Sequence, residues 1–146
     1  MKNLILLILF SGLSSLYSQS IESQFYGTWT CSFKSNNGEV KNNVVWTFKE
    51  AGKGQFMNYS DSSNKNGITC TTKLPFEWAV NKRNQIFIVN GQADCTCLSA
   101  FDQSKSVLEN ISQSIIDAQS NENLIYDFSF KSEKTMIMGG YKMKKN

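Results

Sequence analysis

Four cysteines are the residues of this chain best able to do chemistry: Cys31, Cys70, Cys95 and Cys97. Cysteines form disulfides in an oxidising compartment, and paired cysteines can instead bind structural zinc. Paired zinc ligands are usually separated by about two to four residues, whereas a single residue separates Cys95 from Cys97. We therefore expect disulfide bonds at these four positions, with no metal and no cofactor.

The spacing of the cysteines limits how they can pair. A bond between Cys95 and Cys97 would close a very tight ring, because alternate residues of a strand lie near the longest Cα–Cα separation that a disulfide spans. We therefore expect Cys31 and Cys70 each to bond one of these two cysteines. The sequence leaves open which bonds which.

Residues suited to catalysis are scarce. The chain has no histidine, the commonest acid–base group at neutral pH. It also lacks a nucleophile elbow and a phosphate-binding loop. Glu77, Asp94 and Asp127 are possible acids, but each falls on a predicted outer face or turn, where a solvated role is expected. We predict no catalytic residues and a protein that is not an enzyme.

The first twenty residues, MKNLILLILFSGLSSLYSQS, have the pattern of a secretory signal. Lys2 is followed by an apolar run from Leu4 to Phe10, and Ser18 and Ser20 are spaced like a cleavage site. The alternative is a short membrane anchor. We predict a signal peptide at 1–20, one domain at 21–146 with no integral membrane segment, and a secreted or periplasmic location.

The net charge of +3 does not favour a nucleic-acid partner. The lysines near the C-terminus, Lys142, Lys144 and Lys145, are interpreted as a solvated tail.

Short alternating segments separated by turn residues dominate the rest of the chain, which indicates strands. One segment breaks the pattern, because Val107, Leu108, Ile111, Ile115 and Ala118 recur at helical spacing. We count about eight or nine strands and one helix, with two strands after the helix. The prediction is an all-β fold, a single antiparallel up-and-down barrel with the amphipathic helix packed on it. A two-sheet sandwich is the alternative.

The stretch FYGTWTCSF contains Gly27, Thr28 and Trp29 at the start of the first predicted strand. This element resembles the Gly-x-Trp motif of the lipocalin-like (calycin) barrels, and the chain resembles a divergent bacterial member of that group. The resemblance implies structural roles for Gly27 and for Trp29, which would plug one end of the barrel. It also implies a late cation packed across Trp29, a place that Lys142 or Lys144 could take.

A barrel plugged at one end can hold a ligand at the other. We expect a pocket lined by inward-facing aromatic residues. The alternative is that the same rings fill the barrel completely. The expected lining residues are Phe33, Trp46, Phe48, Tyr59, Trp78, Tyr126 and Phe128.

The sequence therefore favours an exported, non-enzymatic barrel that binds a small hydrophobic molecule. The alternative is a protein-interaction module, such as a hydrolase inhibitor, whose partner is a protein of the cell envelope.

Overall fold

The computed structural model describes residues 21–35, 38–62 and 67–146, and the predicted signal peptide at 1–20 lies outside the described residues. Helix α1 is described over residues 21–25. The other elements are β1 (Gly27–Ser35), β2 (Val40–Lys49), β3 (Lys53–Asp61), β4 (Ile68–Val80), β5 (Gln85–Asn90), β6 (Asp94–Ser99), α2 (Lys105–Gln119), β7 (Asn123–Ser132), β8 (Thr135–Met138) and β9 (Tyr141–Lys145).

Eight of the strands close into a barrel. The order around it is β1-β2-β3-β4-β5-β7-β8-β9, and β9 pairs with β1 to complete the ring. Every pairing is antiparallel. This confirms the predicted all-β, up-and-down barrel and excludes the sandwich.

The ninth strand, β6, is an addition to the barrel wall. Strand β4 is thirteen residues long. One of its edges pairs with β3, and two different strands pair with the other edge. Its second half pairs with β5, and its first half extends further and pairs with β6. Pro75 lies inside β4 where the neighbour changes from β6 to β5, so its missing N–H disrupts no ladder.

The chain also closes with three strands after α2 rather than the two expected. The segment TMIMGGYKMK turns back at Gly139 and Gly140, which have φ values of 56° and 84°. Two successive positive φ values are typical of the tight turn that joins hairpin strands. The segment therefore forms β8 and β9 rather than one strand.

A cluster of aromatic rings closes the end of the barrel at which β1 begins. Phe25 of α1 enters the barrel and packs against Phe48, Trp78 and Phe128, with ring centroids 4.8 to 5.4 Å apart. Trp29 is fully buried, and its Nε1 donates a hydrogen bond of 2.7 Å to the carbonyl of Phe25. The helix and the first strand thus meet through this bond.

A lysine lies across Trp29, but it is neither of the two expected. The Nζ atom of Lys145 is 5.2 Å from the centroid of the Trp29 ring, and it also donates to the carbonyl of Gln24. In the register of β9 on β1, Lys145 pairs with Trp29 and Lys144 with Thr30. The alternation of the strand therefore selects Lys145.

Helix α2 packs on β6 and on the first half of β4. Leu108, Ile111, Ile115 and Ile116 contact a second buried cluster, formed by Ile68 and three cysteines of β4 and β6. Of the predicted stripe, Val107 and Ala118 are exposed. The apolar face is therefore turned slightly from the one that the sequence indicated.

Candidate ligand cavity

A cavity of about 230 Å³ occupies the half of the barrel that the aromatic cluster leaves unfilled. Its lining is mainly apolar and aromatic. A second cavity of about 200 Å³ adjoins it and shares Trp46, Phe56, Gln119 and Tyr126. The larger cavity is lined by Cys31, Phe33, Val44, Trp46, Phe56, Asn58, Gln119, Tyr126, Met138, Tyr141 and Met143.

Strand register brings these side chains to one level. Cys31 pairs with Val44, and Val44 pairs with Asn58, so three neighbouring strands contribute one row of inward residues. The next row pairs Trp46 with Phe56, whose ring centroids are 4.7 Å apart. Because side chains of a strand alternate between the two faces of the sheet, residues two positions apart point the same way, and both rows therefore face the interior.

Three buried amide oxygens near the cavities have no hydrogen-bond partner among the described residues: Asn58 Oδ1, Asn90 Oδ1 and Gln119 Oε1. Asn58 lines the larger cavity, Asn90 the smaller and Gln119 both. A buried acceptor left without a donor costs about 1–3 kcal/mol. These oxygens are therefore suited to accept hydrogen bonds from a molecule inside the barrel.

The orientation of Asn90 is fixed by its other contact. Its Nδ2 donates a 3.1 Å hydrogen bond to the main-chain carbonyl of Gln119, which can only accept. Exchanging the two amide atoms would bring two acceptors together, so Oδ1 must be the unpartnered atom. Asn90 is 5% exposed, and it therefore supplies a deeply buried acceptor.

The charge around the cavities has one sign. Glu122 lines the smaller cavity, and the residues described as lining either cavity include no lysine or arginine. Burial raises the pKa of Tyr126, and the negative charge of Glu122 and the neighbouring Tyr141 raise it further. Burial also raises the pKa of Cys31, so this thiol stays protonated at neutral pH.

The seven predicted pocket residues divide into three groups. Phe33, Trp46 and Tyr126 line the larger cavity. Phe48, Trp78 and Phe128 are instead buried around Phe25 at the closed end, where their rings fill the interior.

Tyr59, the seventh, does not face the interior, and its predicted inward orientation is wrong. It is 42% exposed on the outside of β3. Phe56 and Asn58 of the same strand line the cavity, so the odd-numbered positions face outwards. In GQFMNYS, both the odd-numbered and the even-numbered positions carry apolar residues, so the sequence alone does not say which set faces inwards. Pairing with β2 decides it, because Phe56 lies opposite the inward-facing Trp46.

One of the expected disulfides is present. Cys70 and Cys97 are bonded, and they lie directly opposite each other on β4 and β6 with a Cα–Cα distance of 4.1 Å. This bond also excludes a zinc site made of four thiolates. Among the described residues, no group of histidine, cysteine, aspartate or glutamate side chains is arranged to hold a metal ion.

The second expected disulfide, between Cys31 and Cys95, is not formed, and both are free thiols. Strands β2, β3 and β4 separate them, which is four spacings of about 4.8 Å along the wall. Cys95 is also covered by α2. The interior position of Cys31 was visible in the alternation of β1, but the distance to Cys95 depends on the strand order.

Several lining residues were missed by the sequence analysis. Asn58 and Gln119 are polar and were not considered as inward, and Met138 and Met143 lie in the segment interpreted as one strand. Phe56 could have been found from the alternation of GQFMNYS, had its phase been known. Gln119 required knowledge of where the end of α2 lies.

Within the described part of the chain, no helix has the length and apolar character needed to cross a membrane. The chain matches no model of a known protein family, and it has no significant match among curated protein sequences.

Proposed function

We propose that this protein is an exported, lipocalin-like barrel that binds one small, largely apolar molecule in the cavity between Trp46 and Tyr126. The observation that carries the proposal is this cavity of about 230 Å³, with aromatic walls and buried amide oxygens that lack partners. Sites for small ligands combine such apolar walls with a few placed polar groups. The role is binding rather than catalysis.

The size of the cavity limits the ligand. An apolar cavity of about 150 Å³ holds benzene, so about 230 Å³ has room for about nine non-hydrogen atoms. One aromatic ring with a short chain, or a short branched alkyl chain, has this size. Larger molecules such as long-chain lipids would extend through the mouth into solvent.

Export belongs to the proposal. The signal-like pattern at 1–20 supports it. The Cys70–Cys97 disulfide supports it independently, because such bonds persist mainly in oxidising compartments.

Native mass spectrometry of the protein purified from its own host, before and after organic extraction, tests the binding role. We expect an excess mass of one small molecule that extraction removes. The matched control is Val44→Phe, which places a ring in the cavity and should carry no excess mass. Equal masses for wild-type protein before and after extraction would contradict the proposal.

A second candidate function, a protein-interaction module, is favoured by the free edge of β6. Among the described strands, β6 pairs only with β4. The short Cα–Cα distance between Cys70 and Cys97 is typical of a non-hydrogen-bonded pair, so the main-chain groups of Cys97 face the open edge. A groove of about 490 Å³ lies between this strand and α2. An extended segment of an envelope protein could pair there.

The second candidate is tested by inhibition of an envelope hydrolase, with lysozyme as the probe. If the enzyme binds at β6, the wild-type protein should inhibit it. Leu98→Lys should abolish this inhibition, because it places a charge on the exposed edge strand. Val89→Lys is the matched control, because Val89 is an exposed apolar residue on β5 in the barrel wall. Equal inhibition by both variants, or none by wild-type protein, would contradict this use of β6.

A further inference from the structure

The polar groups around the two cavities identify the chemical class of the ligand, an inference that rests on the proposed binding function. We propose that the cavity selects a small amine: a protonated amino group attached to one apolar group. An amine offers only hydrogen-bond donors and a positive charge, and the cavity offers their complements.

The lining of the two cavities offers hydrogen-bond acceptors that lack donors among the residues that the structure describes. The three amide groups at the cavities each leave an oxygen without a donor, and at Asn90 that assignment is fixed by the bond to the Gln119 carbonyl. A protonated amino group has three donors and no acceptor. A carboxylate would place its oxygens against these acceptors and gain no hydrogen bond from them.

The charge at the cavities also favours a cation. Glu122 lies at the smaller cavity, and the described lining includes no basic side chain that could neutralise an anion. Burial raises the pKa of Tyr126, and the negative charge of Glu122 raises it further, so this carboxylate acts on a residue that lines both cavities. A cation near Glu122 is therefore stabilised, whereas an anion is repelled.

Aromatic side chains form a wall beside these groups. Trp46, Phe56 and Tyr126 line both cavities. The Trp46 and Tyr126 ring centroids are 6.5 Å apart with nearly perpendicular planes. Ring faces attract cations, most strongly where the pair is shielded from water. The same residues can thus contact both the apolar body of the ligand and its ammonium group.

Binding of three probes of similar size by isothermal titration calorimetry tests this inference. The probes are 2-phenylethylamine, propylbenzene and benzoate, which have the same number of non-hydrogen atoms. We expect the amine to bind at least about tenfold more tightly than propylbenzene, because charge-assisted hydrogen bonds add to burial of the ring. We expect the carboxylate to bind more weakly than either.

Two matched variants separate charge from fold. Glu122→Gln should weaken amine binding about fivefold and leave propylbenzene within about twofold, because Glu122 is exposed and solvent screens its charge. Glu133→Gln, in the turn between β7 and β8, should change neither. Asn58→Leu should weaken the amine and not propylbenzene.

Equal affinity for the amine and propylbenzene, or equal effects of the two glutamate variants, would overturn the amine assignment while leaving the binding function in place. Tighter binding of benzoate than of the amine would overturn it as well. Binding of none of the probes would also overturn it, and the native mass measurement would then decide separately whether the cavity holds any ligand.

Discussion

At the scale of single residues, Trp29 joins α1 to the barrel. Its indole N–H is the donor to the buried carbonyl of Phe25, at 2.7 Å. Replacing Trp29 with Phe keeps an aromatic ring but leaves that carbonyl without a donor. We predict a loss of about 1–3 kcal/mol in the free energy of unfolding, measured by urea denaturation. Leu98→Ala, at an exposed position, should change it by less than about 0.5 kcal/mol. Equal losses would contradict this role.

Gly54 has a packing reason to be glycine. A Cβ atom there would collide with the ring of Phe76 on the neighbouring strand, directly opposite in register. We predict that Gly54→Ala costs about 1–3 kcal/mol of stability. In a Phe76→Ala background the same change should cost much less, which a double-mutant cycle measures. A cost that is unchanged without the Phe76 ring would show that backbone conformation is the cause.

The thiol of Cys31 reports on the cavity because it forms part of its lining. Burial raises its pKa above the ordinary value of 9.0. The stability that comes with this shift is fully present below pH 9.0 and is lost as pH rises through the folded pKa. In a Cys95→Ala background, we predict that alkylation of the folded protein reaches half its maximal rate at higher pH than alkylation in urea. Coinciding profiles would contradict the burial of this thiol.

At the scale of elements, the disulfide ties β6 to β4 beneath α2. Cys70 and Cys97 are 27 residues apart, and a loop of that length predicts a contribution of about 2–4 kcal/mol. Cys70→Ala/Cys97→Ala should lose this stability and become insensitive to reducing agents in urea unfolding. The control, Cys31→Ala/Cys95→Ala, should remain sensitive. If reduction destabilised both variants equally, the pairing would be wrong.

The sequence predicts most elements but not their limits. Alternation identified the strands that line the barrel, because an apolar residue at every second position has one interpretation when the other face is polar. It failed at Gly139 and Gly140, which divide one apparent strand into two. Consecutive glycines are typical of a hairpin turn, so the signal was present in the sequence, but the apolar alternation on both sides favoured one continuous strand.

At the scale of the whole molecule, closure of the barrel divides the interior into a filled half and an open half. Six of the seven predicted aromatic residues face the interior, but the sequence could not tell which would line a cavity and which would fill the closed end. Phe25 decides this, because it enters from α1 and occupies the space that Phe48, Trp78 and Phe128 surround. The pairing of β3 with β2 then places Asn58 at the cavity, and the C-terminal end of α2 places Gln119 there.

The most direct test of this account is a crystal structure of the protein pressurised with xenon, which enters apolar cavities that admit a small molecule. The account predicts xenon density inside a closed eight-stranded barrel, between Trp46, Phe56 and Tyr126, and none among the rings around Phe25. A barrel interior without xenon, with side chains occupying the space between those three residues, would contradict it.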